Sequence, residues 1–200
     1  MVVFDLGRVL LDFDYLALAH RFLPWCAAPS SDVIRWINQS TLLQRFESGE
    51  LTTLDFCQQL MAATGFRGSL EQFRELFGDI FTPIPAMVQL NADLRARGIP
   101  TFIFSNTNDL AVECIRRQYP FFADFDGYIF SYEHHALKPR PALYEQVEVQ
   151  TGRQGEEMFF LDDRLENIAA GAARGWQAVL HETPGKSRAA AQAAGLLSVA

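Results

Sequence analysis

The stretch MFFLDD, residues 158–163, is apolar for four positions and then abruptly acidic. Such a run reads as a short strand buried on both faces, the pattern of a parallel sheet. Three more have the same form: Val2 to Phe4 before Asp5, Thr101 to Phe104 before Ser105, and Tyr128 to Phe130 before Ser131. A weaker run spans Ala178 to Leu180. Between them, helical spacing joins Met87, Leu90 and Leu94, and again Leu110, Cys114 and Ile115, while a helix over 166–174 has its natural stop at Gly175. Strands alternating with helices predict an α/β chain with an open, Rossmann-like parallel sheet.

Residues 14–85 break the alternation. No buried strand is legible there, but Thr52-x-x-Asp55 and Ser69-x-x-Gln72 resemble the capping boxes that start helices. Apolar spacing follows in Val33, Ile34 and Ile37, in Leu54, Cys57 and Met61, and in Phe73, Leu76 and Phe77. The expectation is an all-helical cap domain, 14–85, inserted into a core domain made of 1–13 and 86–200. The Ala-rich tail after Gly185 is the one low-complexity tract.

Hydrophobic residues are 49% of the 200 and charged residues 20%, with 17 Phe, which supplies a core and excludes disorder. A formal charge of −7 without a basic stripe argues against nucleic acid or a membrane surface as partner. Cys26, Cys57 and Cys114 lack C-x-x-C spacing and are odd in number, which fits neither a disulfide framework nor a zinc site. With no secretory leader or bilayer-spanning run legible, a cytoplasmic location is expected.

In an open α/β sheet, ligands bind outside the carboxyl ends of the strands. The polar residues that end these strands therefore converge: Asp5, Ser105 with Asn106, Lys138 a short loop after the third strand, and Asp162 with Asp163. Singly, each has a plain structural explanation, as a helix cap, a solvated loop lysine or an acidic pair at a helix start. Together they are what magnesium-dependent phosphoryl transfer requires. Mg²⁺ takes one or two carboxylates with phosphate and water, and a lysine and a hydroxyl neutralise the remaining phosphoryl oxygens.

The segments VVFDLGRVLLDFD (2–14), FIFSN (102–106), LKPRPALYE (137–145) and FLDDRLENIAAGAARG (160–175) resemble, in order, the four motifs of the haloacid dehalogenase superfamily. The likeness is closest to helical-cap phosphatases whose first motif begins F-D-L-G, including sugar-phosphate phosphatases of the glucose-1-phosphate type. It implies a Rossmann-like core under a mobile helical cap, and Mg²⁺-dependent hydrolysis of a small phosphorylated metabolite, expected to be a sugar phosphate, through an aspartyl-phosphate. Asp5 would be the nucleophile. Ser105 and the backbone of Asn106 would hold the phosphoryl oxygens, and Lys138 would pair with Asp5 and the phosphate. Asp5, the Gly7 backbone carbonyl and Asp163 would bind the metal, with Asp162 a further ligand or an acceptor behind them.

The departure is Gly7. Most phosphatases of this superfamily carry there a second Asp that protonates the leaving oxygen and then activates water, and glycine does neither. A positioned acid/base contributes about 10²–10⁴-fold, so a slower enzyme or a stand-in is expected, the candidates being His20, Glu47, His134 and His135. If the missing acid limits the rate and the new side chain fits, Gly7→Asp should raise turnover; no gain would point to a working stand-in or to steric misfit. Two other readings stay open. One is a 2-haloacid dehalogenase, in which Asp5 attacks carbon without a metal. The other is a catalytically weak member that binds a phosphorylated ligand or a protein. The Asp162-Asp163 pair and Lys138-Pro-x-Pro favour the phosphatase. Candidate substrate contacts from the cap are Tyr15, His20, Trp25, Arg45 and Glu47, while Arg8 and Arg164 add local positive potential.

Overall fold

A computed structural model describes residues 1–38, 41–78 and 80–198. The strands are β1 (Val2–Phe4), β2 (Leu11–Phe13), β3 (Phe81–Pro83), β4 (Thr101–Ser105), β5 (Gly127–Phe130), β6 (Phe159–Asp162) and β7 (Gln177–Leu180). The helices are α1 (Tyr15–Phe22), α2 (Ser30–Asn38), α3 (Thr41–Glu47), α4 (Thr53–Thr64), α5 (Leu70–Gly78), α6 (Pro85–Ala96), α7 (Asp109–Gln118), α8 (Ser131–His134), α9 (Pro141–Thr151), α10 (Leu165–Ala172) and α11 (Pro184–Ala193).

Five strands form a parallel sheet in the order β5-β4-β1-β6-β7. Successive side chains of a strand point to opposite faces, and the apolar runs divide accordingly. Val2, Phe4, Ile103, Phe130, Phe159 and Leu161 join one core, which α6, α7 and α11 complete through residues such as Leu90, Ile115 and Ala191. Val3, Phe104, Ile129, Met158 and Phe160 join the other, with Leu143, Tyr144 and Val147 of α9. Each fully buried side chain of this kind stabilises the fold by about 1.5–3 kcal/mol. Because both faces are covered, the central strands show no polar alternation. Phe4 pairs with Ile103 on one side and Leu161 on the other, which sets the carboxyl ends of β1, β4 and β6 level.

Between β2 and β3 the chain is helical with its own core, in which Phe22, Phe46, Phe56, Phe66, Phe73 and Phe77 cluster. Phe46 stacks on Phe56 at 4.3 Å and Phe22 meets Phe73 edge-on at 5.0 Å between centroids. Such pairs contribute about 0.5–1.5 kcal/mol beyond their buried area. Both capping boxes form, Thr52 with Asp55 and Ser69 with Gln72. The Leu54 stripe is shifted: Leu54 is 48% exposed, and Phe56 and Leu60 are buried in its place.

Three local expectations change. Phe81–Pro83, inside the stretch read as free of strands, pairs antiparallel with Leu11–Phe13. This two-stranded ribbon is short and partly exposed, so it leaves no apolar run to read. The helix expected over 166–174 is α10, ending at Ala172 before a turn to Gly175 (φ 80°). The Ala-rich tail is not featureless: Thr183 caps α11, and Ala191 and Leu197 are buried against the sheet's first face. The three cysteines are free. No helix among the described residues is long and apolar enough to cross a membrane.

Candidate active site

The carboxyl ends of β1, β4 and β6 face α1 and α3 across a cavity of about 570 Å³. Asp5, Gly7, Arg8, Ser105, Asn106, Lys138, Asp163, Arg164 and Asn167 form its floor. Phe13, Tyr15, Thr41, Leu43, Gln44 and Glu47 form its roof.

Lys138 organises the floor. Its side chain is 1% exposed, and its ammonium donates to Asp5 Oδ1 at 2.8 Å, Asp162 Oδ2 at 2.6 Å and the Phe104 carbonyl at 2.9 Å, so all three protons are used. Burial works to neutralise the ammonium, but Asp5 and Asp162 outweigh it and hold its pKa above the ordinary lysine value. The Asn106 side chain fixes the Lys138 backbone, donating to its carbonyl at 3.1 Å and accepting its N–H at 2.7 Å.

The two adjacent aspartates do different things. Asp162 is fully buried, and its oxygens accept from Lys138, from the Asn167 amide at 2.9 and 3.0 Å, and from the Arg164 N–H at 2.9 Å. That saturated carboxylate orients Lys138 and the turn into α10. Of the two roles expected for Asp162, these contacts favour the acceptor behind the site. Asp163 faces the cavity instead. Oxygens of Asp5, Asp162 and Asp163 lie within 4.8 Å of one another.

Three carboxylates stand against one ammonium. Burial lifts the Asp5 carboxyl to about 7, with Lys138 opposing and Asp162 adding to the rise. Asp163 is also raised, by burial and then by the charge of Asp162. Asp5, Gly7 and Asp163 line the same cavity, and their carboxylates and backbone carbonyl offer oxygen donors only. That is the chemistry a hard divalent cation requires.

Gly7 is filled from outside. A Cβ there would lie 2.7 Å from Phe13 Cε1. The Phe13 ring is held by Tyr15 at 5.0 Å and by the Arg8 guanidinium 4.7 Å above it. An acidic side chain at position 7 would have to move that ring, so the condition that the new side chain fits is met only if Phe13 repacks.

Of the residues singled out in the cap, Tyr15 and Glu47 line the cavity. His20 and Arg45 do not: His20 is exposed, and Arg45 pairs with Glu50 at the surface. Helical phase explains both. His20 lies five residues from Tyr15 on α1 and Arg45 two residues from Glu47 on α3, which turns each well away from the cavity. Trp25, His134 and His135 also lie outside the lining. Glu47 is partly buried; burial, with the charge of Asp5, pushes its carboxyl up to about 8, and Arg164 opposes the rise. Burial and then the charge of Glu47 raise Tyr15 above the ordinary tyrosine range.

Thr41, Gln44, Phe13 and Asn167 were not singled out from the sequence. Gln44 lies one helical turn before Glu47, a signal that helical phase on α3 could have used.

A family profile described as haloacid dehalogenase-like hydrolase matches residues 1–175. The chain is 28% identical over 175 residues to a sesquiterpene phosphatase from Aspergillus oryzae, covering 86% of this chain and 85% of that protein. It is 24% identical over 183 residues to a D-ribitol-5-phosphate phosphatase from Bacteroides thetaiotaomicron, covering 88% of each. In fold it is similar to a HAD-family enzyme from Bacteroides thetaiotaomicron solved with magnesium and inorganic phosphate, with TM-score 0.77, 20% identity, and coverage of 90% of this chain and 92% of that one. With the motif order, the parallel sheet and a match over most of its length, the chain belongs to the haloacid dehalogenase-like hydrolases.

Proposed function

We propose that this chain is a Mg²⁺-dependent phosphatase acting in the cytoplasm on a small phosphomonoester, through a phosphoryl group carried on Asp5. The observation that carries the reading is the Lys138 contact: a buried ammonium donates at 2.8 Å to one oxygen of Asp5, in the cavity that Ser105 and Asp163 also line. Asp5 attacks phosphorus and expels the leaving oxygen, which replaces one difficult displacement with two easier ones. Lys138 and Ser105 balance the charge on the phosphoryl oxygens. Asp5, Asp163 and the Gly7 carbonyl are the residues that would hold Mg²⁺. The ion supplies charge neutralisation between an anionic nucleophile and an anionic substrate. The named phosphatases among the relatives support the same reaction class.

For the substrate we infer a sugar or polyol phosphate, as for the glucose-1-phosphate type suggested by F-D-L-G. Tyr15, Thr41, Gln44 and Glu47 give the roof hydroxyl, amide and carboxyl groups suited to a polyhydroxylated leaving group, against Phe13 and Leu43 as its apolar members. The relative named for ribitol-5-phosphate fits that lining better than the one named for sesquiterpenes. The test is hydrolysis of 4-nitrophenyl phosphate and of a panel of sugar, polyol and prenyl phosphates. Activity should require Mg²⁺, vanish in Asp5→Asn and favour polyhydroxylated substrates. Turnover that survives chelation or Asp5→Asn would overturn the reaction, and a preference for prenyl phosphates would overturn the substrate class.

A further inference from the structure

We propose that Glu47, on the cap, is the acid/base that position 7 lacks: its carboxyl protonates the leaving oxygen and its carboxylate then activates the hydrolytic water. The inference rests on the phosphatase reading above and adds to it the group that moves the proton.

Three observations carry it. First, position 7 is glycine and supplies no acid, and a Cβ there would come within 2.7 Å of the Phe13 ring. Second, of the four stand-ins suggested by the sequence, Glu47 alone lines the cavity that holds Asp5, Ser105, Lys138 and Asp163. Its carboxylate makes no hydrogen bond or ion pair with the described residues, whereas Asp162 on the floor is saturated. Third, its place is fixed relative to the floor. The Ser131 hydroxyl, which begins α8 beyond the end of β5, lies 2.6 Å from the Glu47 carbonyl and accepts the Thr107 N–H at 2.9 Å. The ionisable groups facing it are Asp5 from the end of β1, Tyr15 from α1 and Arg164 ahead of α10.

The steps balance. Asp5 forms a bond to phosphorus as the bond to the leaving oxygen breaks, and that oxygen takes the Glu47 proton. Water then gives a proton to Glu47 as its oxygen attacks phosphorus and the bond to Asp5 breaks. Phosphate leaves, and Glu47 is again protonated.

The experiment compares wild type with Glu47→Gln, which keeps size and hydrogen bonding, and with Glu47→Asp. Nitrophenolate leaves without a proton, whereas a sugar or polyol alkoxide does not. Glu47→Gln should therefore lose about 10²–10⁴-fold on the alkyl phosphate yet keep its first phosphorylation by 4-nitrophenyl phosphate within a few-fold. It should then stall, showing a burst of nitrophenolate and a phosphorylated Asp5 peptide after acid quench. Glu47→Asp should recover part of the alkyl phosphate rate. Equal losses on both substrates with no burst, or no loss on either, would overturn the proposal. If wild type hydrolyses neither substrate with Mg²⁺, the phosphatase reading itself fails, which is a separate outcome.

Discussion

The floor and the roof of the cavity are both polar, but they are built in different ways. On the floor, Lys138 uses all three protons, Asp162 is saturated, and Asn106 clamps the Lys138 backbone. Parallel strands whose ends lie level hold these groups in place. On the roof, the Glu47 carboxylate has no such partner among the described residues, and it is carried on α3 above a phenylalanine cluster. On the proposed function, the floor is arranged for a phosphoryl group in advance, which is how electrostatic catalysis avoids reorganisation during reaction. The roof keeps hydrogen-bonding capacity for whatever the phosphoryl group is attached to.

Lys138→Met breaks the floor most severely. It leaves Asp5 and Asp162 buried without their cation, and breaking a buried pair in this way costs about 3–5 kcal/mol. Urea denaturation should show a loss of that size together with loss of phosphatase activity. Unchanged stability would mean that the ammonium does not hold the floor together. Gly7→Asp probes the seam between the two regions. The new side chain must move Phe13 from a packed position, and overpacking of this kind costs about 1–3 kcal/mol. Lower stability with no gain in kcat is expected, and a clear rise in kcat would show that the ring yields easily and that position 7 can accept the acid.

The third effect is electrostatic. Asp5 rises from 3.8 to about 7 through burial, so the folded protein keeps a proton that the unfolded chain releases. Its contribution to stability is complete below pH 3.8 and is lost as pH rises toward 7. Asp163 and Glu47 act in the same direction. Metal-free protein should therefore lose stability across this range, and Mg²⁺ should restore it at the upper end. Denaturation midpoints with and without Mg²⁺ test this, and a metal-free profile that rises with pH would contradict it.

The floor was legible in the sequence because a strand buried on both faces announces its end when polarity returns, as at Asp5, Ser105 and Asp162. The difference between Asp162 and Asp163 was not legible. Neighbouring residues at a strand end point in different directions, and no pattern in one dimension says which carboxylate Asn167 and Lys138 will occupy. The roof was harder still. His20, Arg45 and Glu47 all looked suitable by residue type, and only the phase of α1 and α3 separates them. The contact of Phe13 with Gly7 depends on a ribbon whose second strand, Phe81–Pro83, lies far away in sequence.

The central claim is that Asp5 carries the phosphoryl group. Rapid acid quench of the protein reacting with 4-nitrophenyl phosphate and Mg²⁺, followed by peptide mass spectrometry, tests it most directly. The account predicts phosphate on the peptide containing Asp5, absent after chelation and absent in Asp5→Asn. Phosphate on another residue, or undiminished nitrophenolate release from Asp5→Asn, would contradict it.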